Sequence, residues 1–132
     1  CQMLLNRSKQ NPLDNVKQVI TVDELIDMQS KVKEVFVSED MAKYIVMLVT
    51  ATRQSSLFSR GASPRATLSL KDMAKAAAFA DGRDYIVPRD IQNIFVRTIS
   101  HRVILSSEST AKRINTDSAL KEILRTTRQP KI

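Results

Sequence analysis

The sequence is poor in residues that many folds and many active sites require. Its 132 residues include two glycines, Gly61 and Gly82, and four prolines. Sandwiches and barrels turn often and use more of both, so an all-β architecture is disfavoured. The glycine shortage also excludes a complete P-loop, which needs a second glycine followed by Lys and Ser or Thr. Here the glycines stand 21 positions apart, and Ala62 and Arg83 follow them. One cysteine, Cys1, and one histidine, His101, leave no material for a disulfide or a dense Cys/His metal cluster, so no metal site is expected. Aromatic residues make up 5% of the chain, too few for the platforms that stack single-stranded bases. No apolar run approaches the roughly 20 residues that span a bilayer. No signal peptide precedes the chain, which opens on Cys rather than Met. The expectation is a piece of a larger polypeptide from a reducing compartment, the cytoplasm.

Basic residues are plentiful. The formal charge is +7, and residues from Arg102 onward contribute +4 of it. Such chains meet nucleic acid, anionic surfaces or phosphate-bearing ligands, or carry the charge as a solvated face.

The apolar pattern is helical nearly throughout. Thr21 and Glu24 have the spacing of a capping box, and Leu25, Met28, Val32 and Val35 then share one helix face. Ser38 is the next N-cap, followed by Glu39 and Asp40, which complement the helix dipole. Met41, Ile45, Leu48 and Thr52 form that helix's inner stripe, with Tyr44 and Val49 alongside. Residues 54–63 read as a loop. Ser63 then caps a helix that starts at Pro64 and continues through Leu70, Met73, Ala77 and Ala80. Gly82 is its stop. Pro88 opens another helix, with Asp90 in the first turn and Ile91, Ile94, Phe95, Thr98 and Ile99 facing inward. Residues 106–118 read as a connection, and Leu120, Ile123 and Leu124 mark a last short helix ended by Pro130. Short runs at 35–37 and 85–87 are expected to pair as a tiny two-stranded parallel ribbon. The fold class is therefore mainly α, a bundle of about four to five helices in a single domain over residues 1–132.

Ordinary catalysis finds no foothold. His101 has no local Ser/Asp or Cys partner for a triad, and helix capping accounts for Glu39 and Asp40. The strongest local feature is Gly61-Ala62-Ser63-Pro64-Arg65-Ala66. It sets an arginine in the first turn of a helix, where free N–H groups and the dipole favour an anion. Its planar fork suits phosphate oxygens. The alternative is an ordinary surface arginine.

That segment, followed by Gly82-Arg83-Asp84-Tyr85-Ile86-Val87-Pro88-Arg89-Asp90-Ile91, resembles the C-terminal lid of MoxR-type AAA+ ATPases. The helix from Asp40 to the Thr52-Arg53 pair, the His101-Arg102-Val103 run, and Asn11-Pro12-Leu13 with Val19 to Leu25 are similar to pieces of the same lid. The resemblance covers about residues 11–105. It implies that Arg65 is the sensor 2 arginine, a catalytic contact to the γ-phosphate of ATP, with Ser63, Pro64 and Arg65 forming the nucleotide-binding helix start. The contact can be made in cis or to a neighbouring subunit. The resemblance implies ATP and Mg2+ as cofactors, held mainly by a separate P-loop core. It also implies a hexameric, chaperone-like remodelling ring and a von Willebrand factor A domain protein as partner. This chain lacks the Walker motifs and is not expected to hydrolyse ATP by itself. Arg83 and Asp84 are expected to fix the turn after Gly82, Arg53 to pair with an acid or contact the core, and Tyr85 to lie in the core. Two rival readings are a basic helical nucleic-acid-binding module, with Lys121 and Arg125 on one face, and a plain protein-interaction bundle. Under the lid reading no specific nucleic acid and no membrane span are expected.

Overall fold

The computed structural model describes residues 16–130. Cys1 and Asn11-Pro12-Leu13 lie outside the described residues. The chain divides into two units, Cys1–Ser30 and Lys31–Ile132.

The first unit is described from Val16 onward and contains most of α1 (Val22–Glu34). The expected capping box forms. Glu24 Oε2 accepts from the Thr21 N–H at 2.6 Å, and the Thr21 hydroxyl oxygen accepts from the Glu24 N–H at 3.2 Å. The backbone and side-chain hydrogen bonds from Thr21 hold the Glu24 carboxyl below the usual carboxylate range. Leu25 and Met28, on the expected apolar stripe, are 44% and 40% exposed.

The second unit carries the core. Among the described residues its helices are α2 (Glu39–Gln54), α3 (Pro64–Ala80), α4 (Pro88–Ile99), α5 (Ser107–Ala111) and α6 (Thr116–Thr126), besides the last turn of α1. With α1 these make six helices, so the fold is mainly α. Helix α2 begins where the sequence places it, with Ser38 Oγ accepting from the Met41 N–H at 3.3 Å. All six residues of its expected inner face are buried.

Helix α3 buries a different stripe from the expected one. Ala66, Leu70, Ala74 and Ala78 face the core, while Met73 is 49% exposed and Ala80 is on the surface. Its close partner is α4, and a four-spaced stripe with alanine at three of its four positions lets two helix backbones approach. A complete Schellman motif ends α3. The Arg83 N–H reaches the Ala78 carbonyl and the Gly82 N–H reaches the Phe79 carbonyl, each at 2.9 Å. Gly82 has φ 74°, a conformation that costs a side-chain-bearing residue about 1–2 kcal/mol.

Four further expectations need correction. The segment 54–63 is not all loop: β1 (Phe58–Arg60) pairs antiparallel with β2 (Ile104–Leu105), opposing Phe58 to Leu105 and Arg60 to Ile104. The ribbon expected between 35–37 and 85–87 narrows to one parallel bridge, Phe36 with Tyr85, so the two-stranded sheet lies elsewhere and is antiparallel. Tyr85 is not in the core. It is 50% exposed beside Phe36, itself 64% exposed. Residues 106–118 contain α5 and the first turn of α6 rather than a plain connection.

Candidate functional site

Arg65 is the second residue of α3. The start of that helix is held from behind. The Thr52 hydroxyl donates to the Val49 carbonyl at 2.7 Å, and its oxygen accepts from the buried Ala62 N–H at 2.9 Å. Thr52 is fully buried, so this pair satisfies an amide that water cannot reach. Gly61 lies flat on the end of α2. A Cβ there would stand 2.5 Å from Arg53 Cα and 2.6 Å from the Thr52 carbonyl oxygen. The Thr52-Arg53 pair and the Gly61-Ala62 pair, nine positions apart, are therefore one packed junction.

In front of the junction the helix start is open. Ser63, Pro64 and Arg65 are all exposed, and Arg65 makes no hydrogen bond or ion pair with a described residue. Ser63 has the extended N-cap backbone, φ −72° and ψ 161°, but its side chain makes no capping hydrogen bond, contrary to expectation. The first turn of α3 holds no acid. Arg65 lines none of three grooves found among the described residues. One of about 390 Å3 is lined by Asp40, Lys43, Tyr44, Met47 and the tail from Arg128 to Pro130. An anion at Arg65 would sit on an open surface that a second surface must complete.

The other expected residues have structural partners. Arg83 Nη1 and Nη2 grip the Asp90 carboxylate at 2.7 and 2.6 Å, and Asp90 also accepts from the Val87 N–H at 2.8 Å. Asp90 is 2% exposed. Burial opposes its ionisation, yet the hydrogen bonds from Arg83 and Val87 outweigh that and hold its carboxyl below the usual range. The hydrogen bond to Asp90, helped by one to Asp81, raises the Arg83 guanidinium. Asp84 contributes its carbonyl, which accepts from the Phe36 N–H at 2.7 Å. Arg53 pairs with no acid among the described residues and donates to Thr50 at 3.1 Å instead. His101 is exposed and accepts from Arg102 Nε at 3.1 Å. On α6, Arg125 is bound by Glu122 at 2.6 and 2.9 Å, which breaks up the basic face that a nucleic-acid reader would need. No described helix is long and apolar enough to cross a membrane.

The sequence pointed to Arg65 directly. It gave no independent sign of the Thr52–Ala62 hydrogen bond, because a side-chain bond across ten residues has no periodicity.

Comparison with known proteins identifies the family of this fold. The AAA lid domain family matches residues 50–123, more than half of the chain. The uncharacterized protein YeaC of Bacillus subtilis is 32% identical over 94% of this chain and 39% of its own length. Chaperone MoxR1 of Mycobacterium tuberculosis is 29% identical over 88% of this chain and 33% of its own length. The crystal structure of a candidate ATPase from Cytophaga hutchinsonii superposes with a TM-score of 0.84 at 31% identity, covering 98% of this chain and 42% of that one. The chain thus spans well under half the length of these relatives. The matched segment contains the Thr52–Gly61 junction, the Arg65 helix start and the Arg83–Asp90 pair, and the chain belongs to the AAA lid domain family, resembling the MoxR-type AAA+ ATPases.

Proposed function

We propose that this chain works as the small lid of a MoxR-type AAA+ ATPase and that Arg65 is its sensor 2 arginine. The observation that carries the reading is an exposed arginine, unpaired among the described residues, on the rigidly anchored start of α3. Phosphoryl transfer spreads negative charge over the terminal phosphate oxygens, and catalysis is largely positioning and electrostatic stabilisation. A guanidinium at the end of a well-packed helix supplies both, and a planar fork binds two oxygens at once.

The residues present fit ATP in part. Arg65, the free Ser63 hydroxyl and an acid-free first turn suit a terminal phosphate. No group of three His, Cys, Asp or Glu among the described residues could hold a metal ion, so this reading assigns Mg2+ and the rest of the nucleotide to a P-loop core of the same polypeptide. When bound, ATP supplies the phosphoryl group. Arg65 orients its outer oxygens, and α3 carries their position back to Thr52 and α2. Ring assembly as a hexamer, chaperone-like remodelling in the cytoplasm and a von Willebrand factor A domain partner belong to the same proposal.

The test uses the polypeptide that joins this lid to its P-loop core. Arg65→Ala should melt within about 0.5 kcal/mol of wild type, as exposed surface substitutions do. Its ATP turnover should fall roughly a hundredfold, about 3 kcal/mol of transition-state stabilisation. Arg65→Lys should recover part of that, since the charge remains without the fork. Wild-type turnover in a well-folded Arg65→Ala protein would reduce Arg65 to ordinary surface.

A further inference from the structure

The chain has few aromatic residues and turns most of them inward. Tyr44, Phe58 and Phe95 are buried, and Phe79 packs half-buried against the core. Phe36 and Tyr85 face solvent instead, and the fold sets them side by side. The Phe36 N–H donates to the Asp84 carbonyl at 2.7 Å, and the Ile86 N–H donates to the Phe36 carbonyl at 3.2 Å. Phe36 and Tyr85 are thereby partners across a parallel bridge. Side chains alternate along extended backbone, so bridge partners share one face, about 4.8 Å apart. Their neighbours Val35 and Ile86 are buried in the core.

The two rings line a groove of about 270 Å3 together with the apolar Met41, Ile86 and Pro88. That volume falls below the roughly 300–1,000 Å3 of a small-molecule site and suits one side chain of a larger partner. A lone exposed apolar residue needs no explanation, but an adjacent aromatic pair over a groove has the composition of an interface core. Asp40 is the one charged residue that lines the groove. Its carboxylate makes no hydrogen bond or ion pair with a described residue. Lys43, one turn further along α2, is held by Glu39 at 2.7 Å, and Arg128 shares a neighbouring groove with Asp40 without pairing to it. A free carboxylate beside two exposed rings, in a chain of net charge +7, is complementary to a cation that carries apolar surface. Arginine is that side chain. Its stem covers apolar atoms, its planar guanidinium stacks on a ring, and its fork meets a carboxylate at two points.

We propose that this groove docks an extended segment of a partner protein through one arginine, whose guanidinium lies against Phe36 and Tyr85 and pairs with Asp40. The residues flanking that arginine are apolar and cover the rest of the lining. None of the groove residues belongs to α3, so the site is separate from Arg65. The proposal goes beyond the sensor reading and fails separately from it: ATP turnover tests one, and peptide binding tests the other.

The probe is a fluorescent, end-capped Leu-Pro-Arg-Pro-Leu peptide, which its prolines keep extended. It is titrated into the lid-plus-core polypeptide and followed by anisotropy. Companion peptides replace the arginine with lysine or with citrulline, its neutral isostere. The arginine peptide should bind about tenfold more tightly than the citrulline peptide, with lysine between them, and added salt should narrow the gap. Asp40→Asn should erase most of the difference between arginine and citrulline. Phe36→Leu and Tyr85→Leu keep apolar bulk but remove the ring face, and each should weaken the arginine peptide about three- to tenfold. Both replace exposed side chains, so the variants should fold. Leu68→Ala, an exposed apolar position on α3, should bind as wild type does. Absence of saturable binding to wild type overturns the proposal, as does equal affinity for the arginine and citrulline peptides. Full binding by folded Asp40→Asn or by both leucine variants overturns it as well. Self-association in sedimentation that Phe36→Leu abolishes, without peptide binding, would assign the groove to a second copy and overturn the choice of partner.

Discussion

Helices α3 and α4 open with the same two residues, Pro64-Arg65 and Pro88-Arg89, and then diverge at the third. In α4 the third position is Asp90, buried, returning a hydrogen bond to the Val87 N–H and closing on Arg83. In α3 it is Ala66, which has nothing to give. The α4 start is therefore closed by its own third residue: Asp90 satisfies the Val87 amide and is gripped by Arg83, while Arg89, like Arg65, is exposed. The α3 start is anchored only from behind, through Thr52 and Gly61, and its front is left to solvent. A single carboxylate separates a helix start that serves stability from one available to a ligand. The second unit contains both, 25 residues apart in sequence at Arg65 and Asp90.

The sharpest way to break this contrast is to remove the carboxylate. Asp90→Ala strands the Arg83 guanidinium and frees the Val87 N–H. Breaking a buried pair from one side costs about 3–5 kcal/mol, a fall in melting temperature on the order of 10 °C at this size. The pH dependence has a definite sign. The folded-state pKa of Asp90 is depressed, so its contribution is fully present above the unfolded value of about 3.9 and is lost as pH falls through the lower folded value. Wild type should lose stability steeply below about pH 4, and Asp90→Asn should show a shallower acid limb in melts across that window. Equal acid slopes in the two proteins would show that the pair is not what stabilises α4.

The α3 anchor should be the next most costly to disturb. Gly61→Ala forces a Cβ to within 2.5–2.6 Å of backbone atoms of Thr52 and Arg53. Backbone cannot rotate away as a side chain can, so about 1–3 kcal/mol is expected in denaturant unfolding. Thr52→Val keeps the shape but orphans the buried Ala62 N–H, again about 1–3 kcal/mol. In the lid-plus-core protein both should also lower turnover, because Arg65 is aimed through this junction. A destabilised Gly61→Ala protein with full turnover would separate the anchor from the arginine.

Local chemistry made much of this legible before any coordinates. The Thr21–Glu24 box, the Ser38 cap, the six-residue inner face of α2, the Gly82 stop and the Pro88 start all depend on neighbours within four residues. What escaped depends on distance or on degenerate pattern. Strands of three and two residues, joined with a register irregularity, carry no alternation to read. The run from Ala74 to Ala80 contains five alanines, apolar on nearly every side, so its buried stripe was assigned one row off and Met73 was turned inward. Tyr85 looked like core by type. Its exposure follows from a segment that makes one bridge and no sheet. Arg65 was legible as an anion candidate, but the Thr52–Ala62 bond that anchors its helix start joins residues too far apart for any local pattern.

The smallest expected effect tests the contrast most finely. Ser38 and Ser63 occupy the same N-cap position with nearly the same backbone, φ −69° and −72°. The Ser38 hydroxyl oxygen accepts from the Met41 N–H, whereas the Ser63 side chain makes no capping hydrogen bond. Ser38→Ala should thus cost about 1 kcal/mol, the usual value for a working cap. Ser63→Ala should stay within about 0.5 kcal/mol, because no hydrogen bond is lost. If the Ser63 hydroxyl is held in reserve for a phosphate oxygen, the same substitution should weaken ATP binding by a few fold while leaving the melt unchanged. A Ser63→Ala protein destabilised as much as Ser38→Ala would mean that its hydroxyl caps α3 in solution and is not kept free for a phosphate oxygen.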